Sequence, residues 1–175
     1  DGAVVVLGAT TGVEVGTEKV WEYCEPRGIP RLFFVSMMDK EHADFDAAMK
    51  ALDAAFGHRV GAVQIPLGAE QDFRGVIDII RMKAYHHEGD QEEVLEIPAD
   101  LTDAAEAARD KLCELVAEAD DELMEKYLEG ERLSQEELET LLDKAIAQGL
   151  FIPVFVGSAT AMQGVEDLMD DIVTF

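Results

Sequence analysis

The chain has 175 residues, 48% of them hydrophobic, enough to bury a sizeable core in one domain or two small ones. Its 14 basic residues face 38 acidic ones, a formal net charge of −24, which argues against broad contact with a phosphate backbone and against DNA as a partner. It shows no leader with an apolar core and no run of about 18 apolar residues, so neither secretion nor a membrane is indicated and a cytoplasmic protein fits.

Ala3 to Leu7 (AVVVL) reads as a strand running into Gly8-Ala9-Thr10-Thr11-Gly12, and Thr10, Thr11 and Thr17 bound that loop and cap the helical pattern after it. Arg31 to Glu41 (RLFFVSMMDKE) is a second apolar run, ending abruptly at Asp39, with a helix around Ala43 to Phe56 behind it. Near the end, Phe151 to Val156 (FIPVFV) runs into Gly157-Ser158-Ala159 and another helical pattern. Each run is short, β-branched or aromatic and apolar on both faces, which is how a strand buried in a parallel sheet reads. With right-handed crossovers the three loops open onto one rim, where open α/β sheets bind ligands. Asp39 is the carboxylate delivered there.

Between the helix around Ala43 to Phe56 and the strand at Phe151 lie roughly ninety residues, far more than the about 2–6 of a simple αβ connection. Alternation at Val63, Ile65 and Leu67, the run Gly75 to Ile80, and a turn at Glu88-Gly89-Asp90 before Val94, Leu95 and Ile97 predict strands. A helix is expected over about Thr102 to Leu128, with Leu112, Val116, Ala119, Leu123 and Tyr127 on one face. Glu106, Asp110, Glu114, Glu118, Glu122 and Glu125 run along another. Like charges four apart destabilise a helix by a few tenths of a kcal/mol per pair, so the stripe reads either as a solvated face or as a surface for a basic partner. Ser134 with Glu137 forms a capping box and Gly149 sits where a helix stops. Cys24 and Cys113 lack the spacing of a zinc or disulfide framework. His86 and His87, adjacent in a strand, point to opposite faces, so no metal is expected to take both. Met37, Met38, Met162 and Met169 read as core or pocket lining.

The segments DGAVVVLGATTGVEVGTEKVWEY, RLFFVSMMDKEHADF, DFRGVIDIIRMKAY, DDELMEKYLEGE and VFVGSATAMQGVEDLMDDIV, in this order, resemble the GTPase domain of bacterial elongation factor G and its close paralogues. The resemblance covers nearly the whole chain. It implies an α/β fold: a partial P-loop GTPase (Rossmann-like) three-layer domain of parallel strands and helices at 1–57 and 150–175, and an inserted α+β subdomain at 58–149. In that family the Gly-rich loop ending in Gly-Lys-Ser/Thr, the effector-loop threonine and the Asp-x-x-Gly element lie upstream of the segment matching Asp1. No Gly-x-x-x-x-Gly-Lys-Ser/Thr occurs here. The chain therefore reads as a fragment, with GTP or GDP and Mg expected in the full-length parent and no cofactor in the fragment.

The family's guanine-reading pattern Asn-Lys-x-Asp falls on Ser36-Met37-Met38-Asp39, and its Ser-Ala element falls on Ser158-Ala159 after Gly157, with Ala161-Met162 in place of the usual Lys-Asn. The implied guanine-binding residues are Ser36, Met37, Asp39, Gly157, Ser158 and Ala159. Polar groups are lost from both loops, which points to a paralogue with weakened or altered nucleotide discrimination. Alternatively, Met37 covers the base as a lysine stem would, and binding is merely weaker. The implied partners are the ribosome and the lysine-bearing carboxy-terminal domain of its flexible stalk protein, for which the acidic stripe would be the docking surface. Two functions are in view: a translational GTPase supporting translocation or a related ribosome step, or a degenerate relative that keeps only ribosome or stalk binding. A bare strand edge at Ala3 to Leu7 and a bare apolar face on the Gly164 to Val173 helix imply self-association of the fragment.

Overall fold

The chain runs β1 (Ala3–Gly8), α1 (Val15–Cys24), β2 (Arg31–Ser36), α2 (Phe45–Phe56), β3 (Val60–Ala62), β4 (Gln64–Leu67), β5 (Gly75–Asp78), β6 (Lys83–Glu88), β7 (Gln91–Leu95), α3 (Thr102–Val116), α4 (Asp121–Leu128), α5 (Gln135–Ala147), β8 (Ile152–Val156) and α6 (Val165–Thr174). These elements belong to a computed structural model that describes residues 2–88 and 91–174; Gly89 and Asp90 of the expected turn lie outside them.

Four parallel strands form one sheet in the order β1-β2-β8-β3. Because successive side chains alternate, Val5, Leu7, Phe33, Val35, Val154 and Val156 pack with Phe45, Ala48 and Leu52 of α2. Phe34 and Phe155 face the opposite core. Parallel strands need cover on both faces, and β2 and β8 have it. The expectation fails for β1, whose Val4 and Val6 remain 45% and 61% exposed. It is the outermost strand, and only its Val5 and Leu7 side reaches a core.

A second, antiparallel sheet runs β4-β5-β6-β7. It is continuous with the first: Val63 N–H donates to the Val154 carbonyl at 3.1 Å, and Ile79 N–H donates to the Val63 carbonyl at 3.2 Å. The core behind Phe34 and Phe155 extends through Ile77 and Ile79 to Leu112 of α3 and Leu138, Leu141 and Leu142 of α5. The boundary expected at 57/58 does not coincide with the sheets, because β3 pairs with β8 and belongs to the parallel one. A three-residue strand carries no readable period. Gly61 is its enabling residue, since a Cβ there would lie 2.6 Å from both Leu115 Cδ1 and Phe151 Cε2.

The single helix expected over Thr102 to Leu128 is two helices. Asp120 takes an extended conformation (φ −149, ψ 118), and its carboxylate accepts the N–H groups of Glu122 and Leu123 at 3.1 Å each, capping α4. Lys144 of α5 pairs with the same carboxylate. The apolar face survives the break: Leu112 and Val116 are buried, and Ala119, Leu123 and Tyr127 pack on the same core. The capping box is present, with Ser134 Oγ accepting Glu137 N–H at 3.2 Å and Glu137 accepting Ser134 N–H at 2.8 Å. Gly149, at φ 70, follows the end of α5 in the left-handed region.

Arg81 joins the second sheet to α6. Its guanidinium bonds Asp78 Oδ2 at 2.5 Å and Asp171 Oδ1 at 3.1 Å, and the two acids are 2% and 3% exposed. Burial pushes the Asp171 carboxyl up to about 6; Arg81 opposes the rise, while Asp78 and the neighbouring Asp170 add to it. Asp167 lies one turn earlier on the same helix. A carboxyl whose folded pKa exceeds its unfolded value of about 3.9 binds its proton more tightly in the native state. Its contribution to stability is therefore full below about pH 4 and is lost as the pH rises to about 6. We expect thermal melts from pH 4 to 7 to show this decline, and Asp171→Asn to flatten it; superimposable profiles would contradict the assignment.

Candidate functional site at the carboxyl rim of the parallel sheet

The register Gly8↔Ser36 and Val35↔Val156 brings the ends of β1, β2 and β8 level. Three loops emerge together, as expected from the sequence. Ala9 N–H donates to the Ser36 carbonyl at 2.8 Å, and Asp44 N–H donates to the Ala9 carbonyl at 3.1 Å, so the first loop is tied to the second and to the start of α2. Asp44 then caps α2 by accepting Ala47 N–H at 2.8 Å.

Ser36 closes β2 and is 8% exposed. Met37 turns into the left-handed region at φ 66 and stands 49% exposed, its Sδ lying 3.5 Å from where a Cβ on Gly8 would sit. A bulky residue seldom adopts that backbone, so the turn is held by its neighbours. Those neighbours are explicit. Met38 is 1% exposed, its N–H bonds the Gly157 carbonyl at 3.2 Å, and its carbonyl accepts Glu70 N–H at 2.8 Å. The Glu70 carboxylate accepts His42 N–H at 2.7 Å, so the turn before β5 supports this loop from below.

Asp39 is where the second and third loops meet. Its Oδ1 accepts Ser158 Oγ–H at 2.6 Å, its Oδ2 accepts Thr160 Oγ1–H at 3.3 Å, and the Lys40 ammonium pairs with Oδ2. Burial works against ionisation here, but the Lys40 and Ser158 hydrogen bonds outweigh it and hold the carboxyl below the usual carboxylate range. The side chain keeps 20% of its surface exposed. Of the four lone-pair sites on the carboxylate, Ser158, Thr160 and Lys40 take three, so Asp39 retains one acceptor site on Oδ1.

The third loop is closed by Ser158 and Gln163, which exchange backbone bonds at 2.9 and 3.1 Å. Glycine is required at both ends of it. A Cβ on Gly157 would meet the Gln163 carbonyl at 2.3 Å, and one on Gly164, at φ 72, would meet the Val156 carbonyl at 2.4 Å. Ser158 is fully buried and its Oγ also accepts Ala161 N–H at 3.2 Å, so this hydroxyl braces the loop, while Ala159 next to it is exposed.

Of the six residues expected at the rim, Ser36 closes β2, and Met37, Asp39, Gly157, Ser158 and Ala159 fall on these two loops. Lys40 and Thr160 were not anticipated. Lys40 stands in the segment that points to the site, but a lysine next to an aspartate carries no signal of its own; Thr160 is one hydroxyl in a loop of small residues. The acidic residues stand on other elements than the rim loops and are divided by the break at Asp120: Glu106, Asp110 and Glu114 on α3, Glu118 in the connecting turn, Glu122 and Glu125 on α4. Glu106 is paired with Arg132 at 3.5 Å.

A parallel α/β sheet whose carboxyl rim presents one braced aspartate beside backbone loops has that aspartate where open α/β sheets bind their ligands. The family model described as the elongation factor Tu GTP binding domain matches residues 1–175, and the chain belongs to that family. Within it, the chain is 42% identical over 178 aligned residues to elongation factor G of Thermotoga petrophila and 44% identical over 178 to that of Fervidobacterium nodosum, covering 100% of this chain in each case. It spans 26% of the length of each of these relatives. A crystal structure of a Thermus thermophilus protein superposes with a TM-score of 0.89 at 34% identity, covering 99% of this chain and 26% of that one. The chain thus resembles the GTP-binding domain of a translational GTPase of the elongation factor G kind.

Proposed function

We propose that this chain is the guanine-recognising half of a GTPase domain within a longer protein that binds and hydrolyses GTP with Mg while acting on the ribosome in the cytoplasm. One observation carries the reading: Asp39 is held ionised at the rim by Lys40 and Ser158, braced by Thr160, with part of its surface open, as a reader of the guanine N–H donors must be. Lys40 supplies a methylene stem beside that carboxylate, and Met37 offers an apolar cover over the same loop. Ala159 contributes its backbone N–H. The segment between β3 and β8 is the inserted subdomain, and its acidic residues on α3 and α4 form a docking surface for the lysine-bearing domain of the stalk protein. Among the described residues no helix is long and apolar enough to cross a membrane.

The test is competition between GDP, xanthosine diphosphate and ADP for the nucleotide site of the longer protein. GDP should be preferred; equal competition by ADP would overturn the reading.

The chain by itself should pair with a second copy. Val4 and Val6 are exposed beside the outer edge of β1, and Met169, Ile172 and Val173 of α6 are 60%, 46% and 86% exposed. An open strand edge next to bare apolar side chains favours pairing. Light scattering at about 1 mg/mL should show dimers or larger species, to be dispersed by Val6→Lys. A strictly monomeric mass would contradict it.

A further inference from the structure

The sequence pairs His86 with His87, but the fold separates them and gives His87 different company. His86 Nδ1 lies against the Arg74 carbonyl at the surface, whereas the His87 side chain is only 2% exposed. Its backbone is pinned by one side chain, with His87 N–H donating to Gln163 Oε1 at 2.9 Å and Gln163 Nε2 donating to the His87 carbonyl at 2.6 Å. Around the ring stand carboxylates from two other elements. Nε2 is 3.0 Å from Glu166 Oε2 on α6 and 3.8 Å from Glu92 Oε1 on β7. Asp167, next on α6, completes a group in which one ligand atom each from His87, Glu92 and Asp167 lie within 4.8 Å of one another.

Two features of this group ask for a ligand. Among the described residues, Asp167 Oδ2 is buried with no hydrogen-bond partner, the state that native structures avoid for polar atoms. In addition, three carboxyl groups converge on one imidazole, and among the described residues no lysine or arginine bonds to them. Burial and Glu92 push the Asp167 carboxyl up to about 6, although His87 opposes this. A cation placed among these atoms would remove the repulsion and satisfy the bare Asp167 oxygen.

We infer that His87, Glu92 and Asp167 form a binding site for one divalent transition-metal ion of the zinc type, with Glu166 beside the His87 imidazole. The donor set selects the class of ion: an imidazole nitrogen with carboxylate oxygens suits zinc and its neighbours, whereas magnesium and calcium favour all-oxygen shells. Ligand bonds of about 2.0–2.2 Å place tetrahedral donor atoms roughly 3.3–3.6 Å apart, so donor atoms now within 4.8 Å of one another close around an ion by side-chain shifts of up to about 1.5 Å. The donor Glu92 and the neighbouring Glu166 have side chains 37% and 55% accessible, and give the ion its route in. A bound ion would clamp the β6–β7 hairpin onto the first turn of α6, directly behind the loop that Gln163 and Ser158 close.

The experiment is calorimetric titration of the chelator-stripped chain with Zn2+, alongside thermal melts with and without the ion. The chain should bind one Zn2+ with a Kd below about 100 µM, and the melting temperature should rise. His87→Gln should weaken binding by at least about 100-fold, and Glu92→Gln, a change at an exposed side chain that leaves the core intact, by at least about tenfold. His58→Gln, which removes an exposed histidine near Asp53, should change nothing. Affinity in the wild type weaker than the stated limit would overturn the proposal. So would unchanged affinity in Glu92→Gln, even if His87→Gln loses binding through misfolding.

Discussion

Arg81→Ala should cost the fold about 3–5 kcal/mol at pH 7, because it strands two buried carboxylates that have one guanidinium between them. The loss is not simply that of two hydrogen bonds. Asp78 and Asp171 are 2% and 3% exposed, so water cannot take the place of the missing cation. Asp78 also spends Oδ1 on the N–H groups of Ile80 and Arg81, at 2.7 and 2.9 Å, which fixes it in place and prevents it from turning outward. Arg81 itself, although desolvated, is held charged by the two acids, so the native state depends on the ion triad being complete. The effect should be smaller near pH 4, where Asp171 takes up a proton, and Asp171→Asn should recover part of the loss in the Arg81→Ala background. Urea unfolding at both pH values measures this. A loss below about 1 kcal/mol at pH 7 would show that the triad is open to water.

The second large effect concerns nucleotide affinity in the longer protein. Ser36→Asn together with Met37→Lys restores the loop-bracing amide and the base-covering lysine of the family pattern. Recovering one bond to a charged group contributes roughly 1.5–3 kcal/mol, about ten- to a hundredfold in affinity. Ser36 is buried at the end of β2 with the first loop hydrogen-bonded to its carbonyl, which is where a bracing amide would act. Met37 already points outward from a left-handed turn, so lysine inherits an exposed position and no new strain. Fluorescent GDP titration of parent and double variant is the measurement. Equal affinity would mean that Met37 already covers the base as well as lysine would.

Much of this site was legible in the sequence because each of its parts is a local signal. An apolar run that stops at Gly8, at Asp39 or at Gly157 marks both a strand and the loop at its end, and parallel pairing then forces the loops together. What was not legible depends on partners distant in sequence. The strand Val60–Ala62 has no period of its own and exists because β8 lies beside it. The break at Asp120 is set by a cap that an acidic helix pattern conceals, since an aspartate among glutamates looks like one more member of the stripe. Val4 and Val6 read as buried because β-branched residues on both faces of a run look the same in an edge strand as in a central one. Lys40, Thr160 and Glu70 gained their places at the rim from contacts spanning up to 121 residues, and His87 met Glu166 across 79.

The central claim is that Asp39 reads guanine, and Asp39→Asn tests it most directly. In the longer protein, GDP and xanthosine diphosphate should be titrated against wild type and variant under the same conditions. An asparagine at this position replaces one acceptor oxygen with an amide donor, which mismatches the guanine amino group and matches the xanthine carbonyl. The variant should therefore lose about ten- to a hundredfold in GDP affinity while its affinity for xanthosine diphosphate rises. Unchanged affinity for both nucleotides would contradict the account and leave Asp39 as a residue that only ties the second loop to Ser158.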